Sequence, residues 1–140
     1  DEWAGDRGCG VQYFSQQAVV RLAPAAGIPL HPKETMAERL KAVQGLMARG
    51  DDRAVRLYET LGRYTGYGMA HYAEFYDLRH VLLLGRVTSG PGGALLLEKA
   101  REVLREEFPD LASRIDLHLP DEANRRVGQA IAAASLPLLG

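Results

Sequence analysis

Two strand-like segments on either side of one amphipathic segment constrain the fold of this chain more than any other feature. Residues 80–85 form a short run of mostly apolar residues that ends in glycine, which predicts a parallel strand buried on both faces. Residues 114–119 alternate between polar and apolar side chains, which predicts a strand with one wetter face. Residues 94–108 between them have the spacing of an amphipathic helix, whose inward positions are Leu96, Ala100, Val103 and Leu104. This order predicts an α/β fold that is helix-rich and has two evident parallel strands.

Helices are predicted on both sides of this unit. Residues 11–22 carry apolar side chains at helical spacing. Thr35 and Glu38 have the spacing of a capping box at the start of a second helix, and Gly50 is its expected end. A last helix is predicted to follow Pro120.

A third helix, before the first strand, is predicted to begin at Asp51 or Asp52 and to extend to about residue 76. It contains three interior glycines, Gly62, Gly66 and Gly68. Because a glycine costs about 1 kcal/mol in a helix interior, these positions indicate the close approach of another backbone or of a ligand. Tight helix packing is the favoured explanation of the two.

Charge and apolar content limit the kinds of partner that this segment can have. The 17 basic and 18 acidic residues give a net charge of -1, and neither sign clusters, so we expect no binding to nucleic acid. The longest apolar run, around residues 81–84, is far below the roughly 20 residues that a membrane-spanning helix requires. We therefore expect a soluble cytoplasmic protein.

The predicted sheet is small for an α/β domain. A parallel sheet is normally covered on both faces and has more than two members. We therefore expect neighbouring strands in an N-terminal part that these 140 residues do not contain, and a first residue that is Asp1 rather than methionine agrees with that expectation.

Four segments, taken in order along the chain, carry a resemblance to one protein family. They are residues 5–15, 48–54, 61–89 and 121–133, and the third of them ends in the turn GRVTS at residues 85–89. Together they resemble the C-terminal part of the ROK family (repressor, open reading frame, kinase), which includes sugar kinases and transcriptional repressors. The resemblance implies that residues 1–140 are the C-terminal segment of an actin-like ATPase (ribonuclease H-like) domain whose N-terminal phosphate-binding half is absent.

The third of these segments is similar to the family's adenosine motif, a glycine-rich turn after a strand. The resemblance implies that Gly85, Arg86, Val87 and Thr88 bind the nucleotide, with ATP and magnesium as cofactors of the intact protein. Arg86 stands where a second glycine is usual, which either narrows the pocket or places a guanidinium against the nucleotide. An ordinary strand-to-helix loop is the alternative interpretation of this segment.

The first segment is similar to the family's cysteine-rich zinc motif, but the match is partial. Only Cys9 remains, since the first two cysteine positions are occupied by Glu2 and Ala4. A structural zinc ion needs four ligands, so we expect no zinc site here. The position of the family's sugar-contacting glutamate is occupied by Val11, which cannot accept a hydrogen bond from a sugar hydroxyl, so the sugar-binding residues stay unknown.

The sequence supplies no catalytic residue for phosphoryl transfer. The family's phosphate loop, catalytic aspartate and Glu-x-Gly-His sugar motif have no counterpart in these residues. The four histidines are spread over predicted loop, helix and strands without helical pairing, so no metal site is predicted from them.

The leading hypothesis is a segment of an ATP-dependent, glucokinase-like sugar kinase that supplies the adenosine-side wall and is inactive alone. Its partners would be a nucleotide and a sugar, and we expect a homo-oligomer. A second hypothesis is a non-catalytic, sugar-responsive transcriptional regulator of the same family, because the zinc cysteines and the sugar glutamate are replaced. A third is a small α/β module that dimerises through faces left open by the missing sheet.

Overall fold

The structure, a computed structural model, describes residues 8–120. In this part of the chain the helices are α1 (Val11–Phe14), α2 (Gln16–Leu22), α3 (Met36–Ala48), α4 (Asp52–Ala73), α5 (Gly90–Glu107) and α6 (Pro109–Ala112). The strands are β1 (His80–Leu82) and β2 (Asp116–His118), and a single turn of 3-10 helix covers Arg86–Thr88. The helix predicted after Pro120 lies outside the described residues, and so does the zinc-motif position Glu2.

The starts of α3 and α4 follow the capping signals in the sequence. The Thr35 hydroxyl accepts a hydrogen bond from the backbone N–H of Glu38, and the Glu38 carboxylate accepts one from the backbone N–H of Thr35, which completes the predicted capping box. The Asp51 carboxylate caps α4 by accepting from the backbone N–H of Arg53. Gly50 ends α3 with a φ of +72°, in the region that favours glycine.

The first predicted helix is interrupted, and this corrects the expectation for residues 11–22. Ser15 has extended backbone angles (φ -107°, ψ -179°) and separates α1 from α2. Its hydroxyl accepts a hydrogen bond from the backbone N–H of Gln17 and donates one to the carbonyl oxygen of Val11. One serine side chain therefore both caps α2 and ties it to α1.

Helices α4 and α5 pack closely because glycines remove side chains from their interface. A Cβ added at Gly62 would lie 2.6 Å from the carbonyl oxygen of Leu96, and one at Gly66 would lie 2.7 Å from Cβ of Val103. At Gly68 an added Cβ would overlap the ring of Phe14. The prediction that these glycines serve tight packing is confirmed.

Helix α5 begins earlier than the sequence pattern predicts. It starts at Gly90 rather than residue 94, with a proline in its first turn, where the missing N–H breaks no helical hydrogen bond. The predicted inward positions are confirmed, since all of them are buried: Leu96, Ala100, Val103 and Leu104. Leu96 belongs to a core with α2, α3 and the first half of α4, whereas Ala100 and Leu104 belong to a second core with the strands.

The two strands pair in parallel, as predicted, with His80 opposite Asp116 and Leu82 opposite His118. The expectation that the first strand is buried on both faces is wrong. Leu82 and Leu84 are 53% and 50% exposed, whereas Leu117 on the other face of the sheet is 1% exposed. The reason is that the sheet has only two strands in the described part of the chain and packs one face on the helices.

No helix among residues 8–120 has the length and apolar content that crossing a membrane would require.

Candidate functional site

A sharp turn follows the carboxyl end of β1. The chain leaves the strand and bends at Gly85, whose φ of +115° and ψ of 165° suit glycine and strain other residues. The 3-10 turn Arg86–Thr88 follows directly and leads into α5. A Cβ added at Gly85 would meet no atom within 4 Å, so the backbone here faces open space that a flat ligand could approach.

Three side-chain hydrogen bonds hold the turn, two from neighbouring helices and one within the turn. The side-chain amide of Gln44 on α3 donates to the carbonyl oxygen of Arg86 at 2.8 Å. The hydroxyl of Tyr58 on α4 donates to the carbonyl oxygen of Val87 at 3.3 Å. Within the turn, the Thr88 hydroxyl donates to the carbonyl oxygen of Gly85 at 2.9 Å. These bonds fix the turn relative to the helices, which a binding loop needs in order to present a defined surface.

Tyr58 is the buried member of this set. Its side chain is fully buried, and burial raises the pKa of its hydroxyl to about 12, although the hydrogen bond with Gln44 acts in the opposite direction. The phenol therefore stays neutral at all physiological pH values and can donate a hydrogen bond to the carbonyl oxygen of Val87.

A cleft of about 340 Å³ lies beside the turn. The turn side is formed by Leu84 and the first three residues of the predicted adenosine motif, Gly85, Arg86 and Val87. Residues 14–16, at the break between α1 and α2, line it as well. Its volume is at the lower end of the range typical of small-molecule sites, about 300–1,000 Å³.

The four predicted nucleotide-binding residues do not contribute equally. Arg86 is exposed, and its guanidinium has no hydrogen bond or ion pair with any residue of the described range 8–120. Val87 and Thr88 are 4% and 5% exposed, and Thr88 does not line the cleft. A ligand in the cleft would therefore meet the backbone of Gly85 and the charged side chain of Arg86.

The cleft also has residues that the sequence did not indicate. Phe14, Ser15 and Gln16 line it because the first helix breaks at Ser15. The apolar spacing of residues 11–22 continues across the break, so only the serine, a common helix N-cap, could have signalled it.

Two other residues singled out from the sequence lie apart from the cleft. Cys9 and Val11, the last cysteine position and the sugar-glutamate position of the resemblance, are half-buried and do not line it. The prediction that no zinc binds near Cys9 stays a prediction, since positions 2 and 4 lie outside the described residues.

A larger cavity lies elsewhere, along α3. A groove of about 620 Å³ runs along α3 and carries the basic side chains Lys41, Arg49 and Arg53. Arg53 is already engaged by Asp51 at 2.7 Å. The smaller cleft is the better candidate, because ligands of open parallel sheets bind at the carboxyl ends of the strands, and β1 ends there.

A second group of polar side chains lies on the open face of the sheet. Parallel pairing brings His80 on β1 next to Asp116 and His118 on β2. Their potential ligand atoms all lie within 4.8 Å of one another. His80 and His118 lie far apart in the sequence, so their spacing does not indicate a shared site. Only the register of the two strands brings them together.

Among known proteins, no family model, no curated protein and no solved structure matches this chain. The geometry of the cleft and the motifs of the sequence are therefore the two sources of evidence for a function.

Proposed function

We propose that this chain is the C-terminal segment of an ATP-dependent sugar kinase of the ROK type, with an actin-like ATPase fold. It forms the adenosine-side wall of the nucleotide site and does not transfer phosphate alone. The observation that carries the proposal is the open glycine turn at the carboxyl end of β1, where the sequence resembles the family's adenosine motif. In such a kinase, ATP and magnesium are the cofactors and a sugar is the acceptor.

The residues of the turn fit an adenosine. Gly85 has open space where a side chain would otherwise stand, so the flat face of a base or a ribose can approach its backbone. Phe14 also lines the cleft and offers an aromatic surface for stacking. The Arg86 guanidinium offers a positive charge for the phosphates.

Phosphoryl transfer needs further groups that a ROK kinase carries in its N-terminal part. A base must accept the proton of the sugar hydroxyl, and other groups must bind magnesium and the β- and γ-phosphates. ATP supplies the transferred phosphoryl group. The contribution proposed for this chain is limited to positioning the adenosine of the nucleotide and, through Arg86, to contacting its phosphates.

The first test is a titration of the chain with ADP and with adenosine, followed by backbone amide chemical shifts. Both ligands are expected to shift residues 85–87 and 14–16. Arg86→Ala should weaken ADP binding by about tenfold, the loss of one hydrogen bond to a charged group, and should change adenosine binding little. Arg49→Ala, in the larger groove along α3, is the matched control and should bind both ligands as the unaltered chain does.

Two outcomes would contradict the proposal. One is that neither ligand shifts residues 85–87 at the highest soluble concentration. The other is that the shifts fall on the α3 groove and that Arg49→Ala rather than Arg86→Ala weakens ADP binding.

The longest natural form of the protein distinguishes the kinase from the regulator. Calorimetric titration with magnesium ATP and a panel of hexoses should show nucleotide binding that a hexose strengthens. Sugar binding without nucleotide binding would favour the transcriptional regulator, which the replacement of the sugar glutamate by Val11 and of two zinc cysteines already suggests.

A further inference from the structure

Three side chains with metal-ligating atoms lie on one face of the two-stranded sheet. His80 is on β1, and Asp116 and His118 are two residues apart on β2, so both point to the same face of that strand. The rings of His80 and His118 stack with their centroids 5.8 Å apart and an interplanar angle of 29°. The strand register, rather than a flexible loop, fixes the backbone of all three residues.

The separations are close to those of a metal site. Nε2 of His118 lies 3.1 Å from Oδ2 of Asp116, and all three potential ligand atoms lie within 4.8 Å of one another. In a tetrahedral zinc site with bonds of about 2.0–2.2 Å, the ligand atoms lie about 3.3–3.6 Å apart. Two of the side chains are exposed and His118 is half-buried, so rotation about their side-chain bonds is available to bring the ligand atoms closer.

We propose that His80, Asp116 and His118 together bind one divalent transition-metal ion of the zinc type. Two imidazoles and one carboxylate suit zinc and its neighbours better than magnesium or calcium, which prefer oxygen ligands. Three protein ligands leave one tetrahedral position for water. The three residues include neither Cys9 nor any residue that lines the proposed nucleotide cleft.

Arg101 sets a limit on the affinity of this site. Its guanidinium nitrogen Nη2 lies 3.8 Å from Oδ1 of Asp116 and also donates to the carbonyl oxygen of Leu117. A metal ion must therefore bind a carboxylate that already has a cation nearby. The ion would use the Oδ2 side of Asp116, which faces His118.

The test uses the fact that the chain has only four histidines. Zn²⁺ is titrated into the full 140-residue chain at slightly alkaline pH, where the metal competes best with protons, and the imidazole C–H resonances are followed by NMR. His80 and His118 should shift or broaden together and saturate at one ion per chain. His31 on the loop before α3 and His71 on α4 should not respond, and they serve as internal controls.

Variants then identify the ligands by calorimetry. His80→Asn and His118→Asn should each weaken Zn²⁺ binding by at least about 10-fold. Loss of a residue that only hydrogen-bonds a metal ligand already weakens binding by about 10- to 100-fold, and loss of a ligand itself should cost no less. His71→Asn is the matched control and should bind as the unaltered chain does. Asp116→Asn keeps the shape of the side chain but removes its negative charge. If a histidine variant fails to fold, weaker Zn²⁺ binding by Asp116→Asn supports the site in its place. The proposal is overturned if all four histidines respond alike, or if the variants at 80, 116 and 118 bind Zn²⁺ as the unaltered chain does.

Discussion

Tyr58 joins the hydrophobic core to the candidate nucleotide turn. Its ring packs so closely against α5 that a Cβ added at Gly92 would lie 2.6 Å from it, and its hydroxyl donates to the carbonyl oxygen of Val87. The protonated phenol is therefore one of the groups that hold the turn in place.

Removing the Tyr58 hydroxyl should weaken the fold without changing its packing. We expect Tyr58→Phe to lower the free energy of unfolding by about 1–3 kcal/mol, because the carbonyl oxygen of Val87 loses its buried donor. Chemical denaturation at neutral pH measures the change. Tyr76→Phe, at a position where the side chain is 64% exposed, is the control and should have almost no effect.

The same hydroxyl gives a prediction for alkaline pH. Its pKa is about 12 in the folded chain and about 10 when unfolded, so the folded state retains a proton that the unfolded state loses between these values. The stability contributed by Tyr58 is therefore complete below pH 10 and falls as the pH rises from about 10 to about 12. Tyrosinate absorbance should show a late phase near pH 12 that Tyr58→Phe removes. A titration in which Tyr58→Phe leaves that phase intact would contradict the burial of this side chain.

At the level of elements, the pairing of α4 with α5 organises the molecule. α5 contributes Leu96 to one core and Leu104 to the other, and α4 contributes Leu61 and Met69 in the same way. The glycines of α4 let the two backbones approach, so the cost of glycine in a helix is offset by contact along the interface.

Two helical glycines should respond to alanine with opposite signs. Gly62→Ala forces a Cβ to within 2.6 Å of the carbonyl oxygen of Leu96, which is backbone and cannot rotate away, so we expect a loss of about 1–3 kcal/mol. Gly45→Ala on α3 meets only the flexible Arg49 side chain at 3.6 Å and should gain up to about 1 kcal/mol from better helix propensity. Thermal unfolding of both variants measures the difference. Equal effects at the two positions would contradict close packing of α4 on α5.

Local signals in the sequence were enough to predict the features that local chemistry controls. The capping box at Thr35, the Asp51 cap and the glycine end at Gly50 were all predictable, because each depends on residues within one helical turn. The buried positions of α5 followed from apolar spacing alone.

Features that depend on distant residues could not be predicted in this way. The exposure of Leu82 depends on which elements cover the sheet, and a mostly apolar run does not specify them. The approach of His80 to His118 depends on strand register across the whole of α5. The lining of the cleft by residues 14–16 depends on how α1 and α2 sit against the turn, although the candidate turn at Gly85 was identified from its motif.

Within residues 8–120, one face of the two-stranded sheet packs against the helices and the other face is open. Val81 and Leu83 on β1 and just after it pack against the cores, whereas Leu82 and Leu84 are about half exposed. A parallel sheet that exposes leucines in this way is unusual, since such sheets are normally covered on both faces. The exposed leucines motivate the prediction that a second copy of the chain binds this face.

Association through this face should be measurable. Because burying one leucine side chain contributes about 1.5–3 kcal/mol, Leu82→Ser should weaken self-association by about tenfold or more. Sedimentation velocity over a range of concentrations measures it, with a chelator present so that a metal ion held by His80 and His118 cannot link two copies. Met36→Ser removes an exposed apolar side chain from the start of α3, far from the sheet in sequence, and should leave the association constant unchanged. A chain that stays monomeric at every concentration would show that the open face does not bind a second copy.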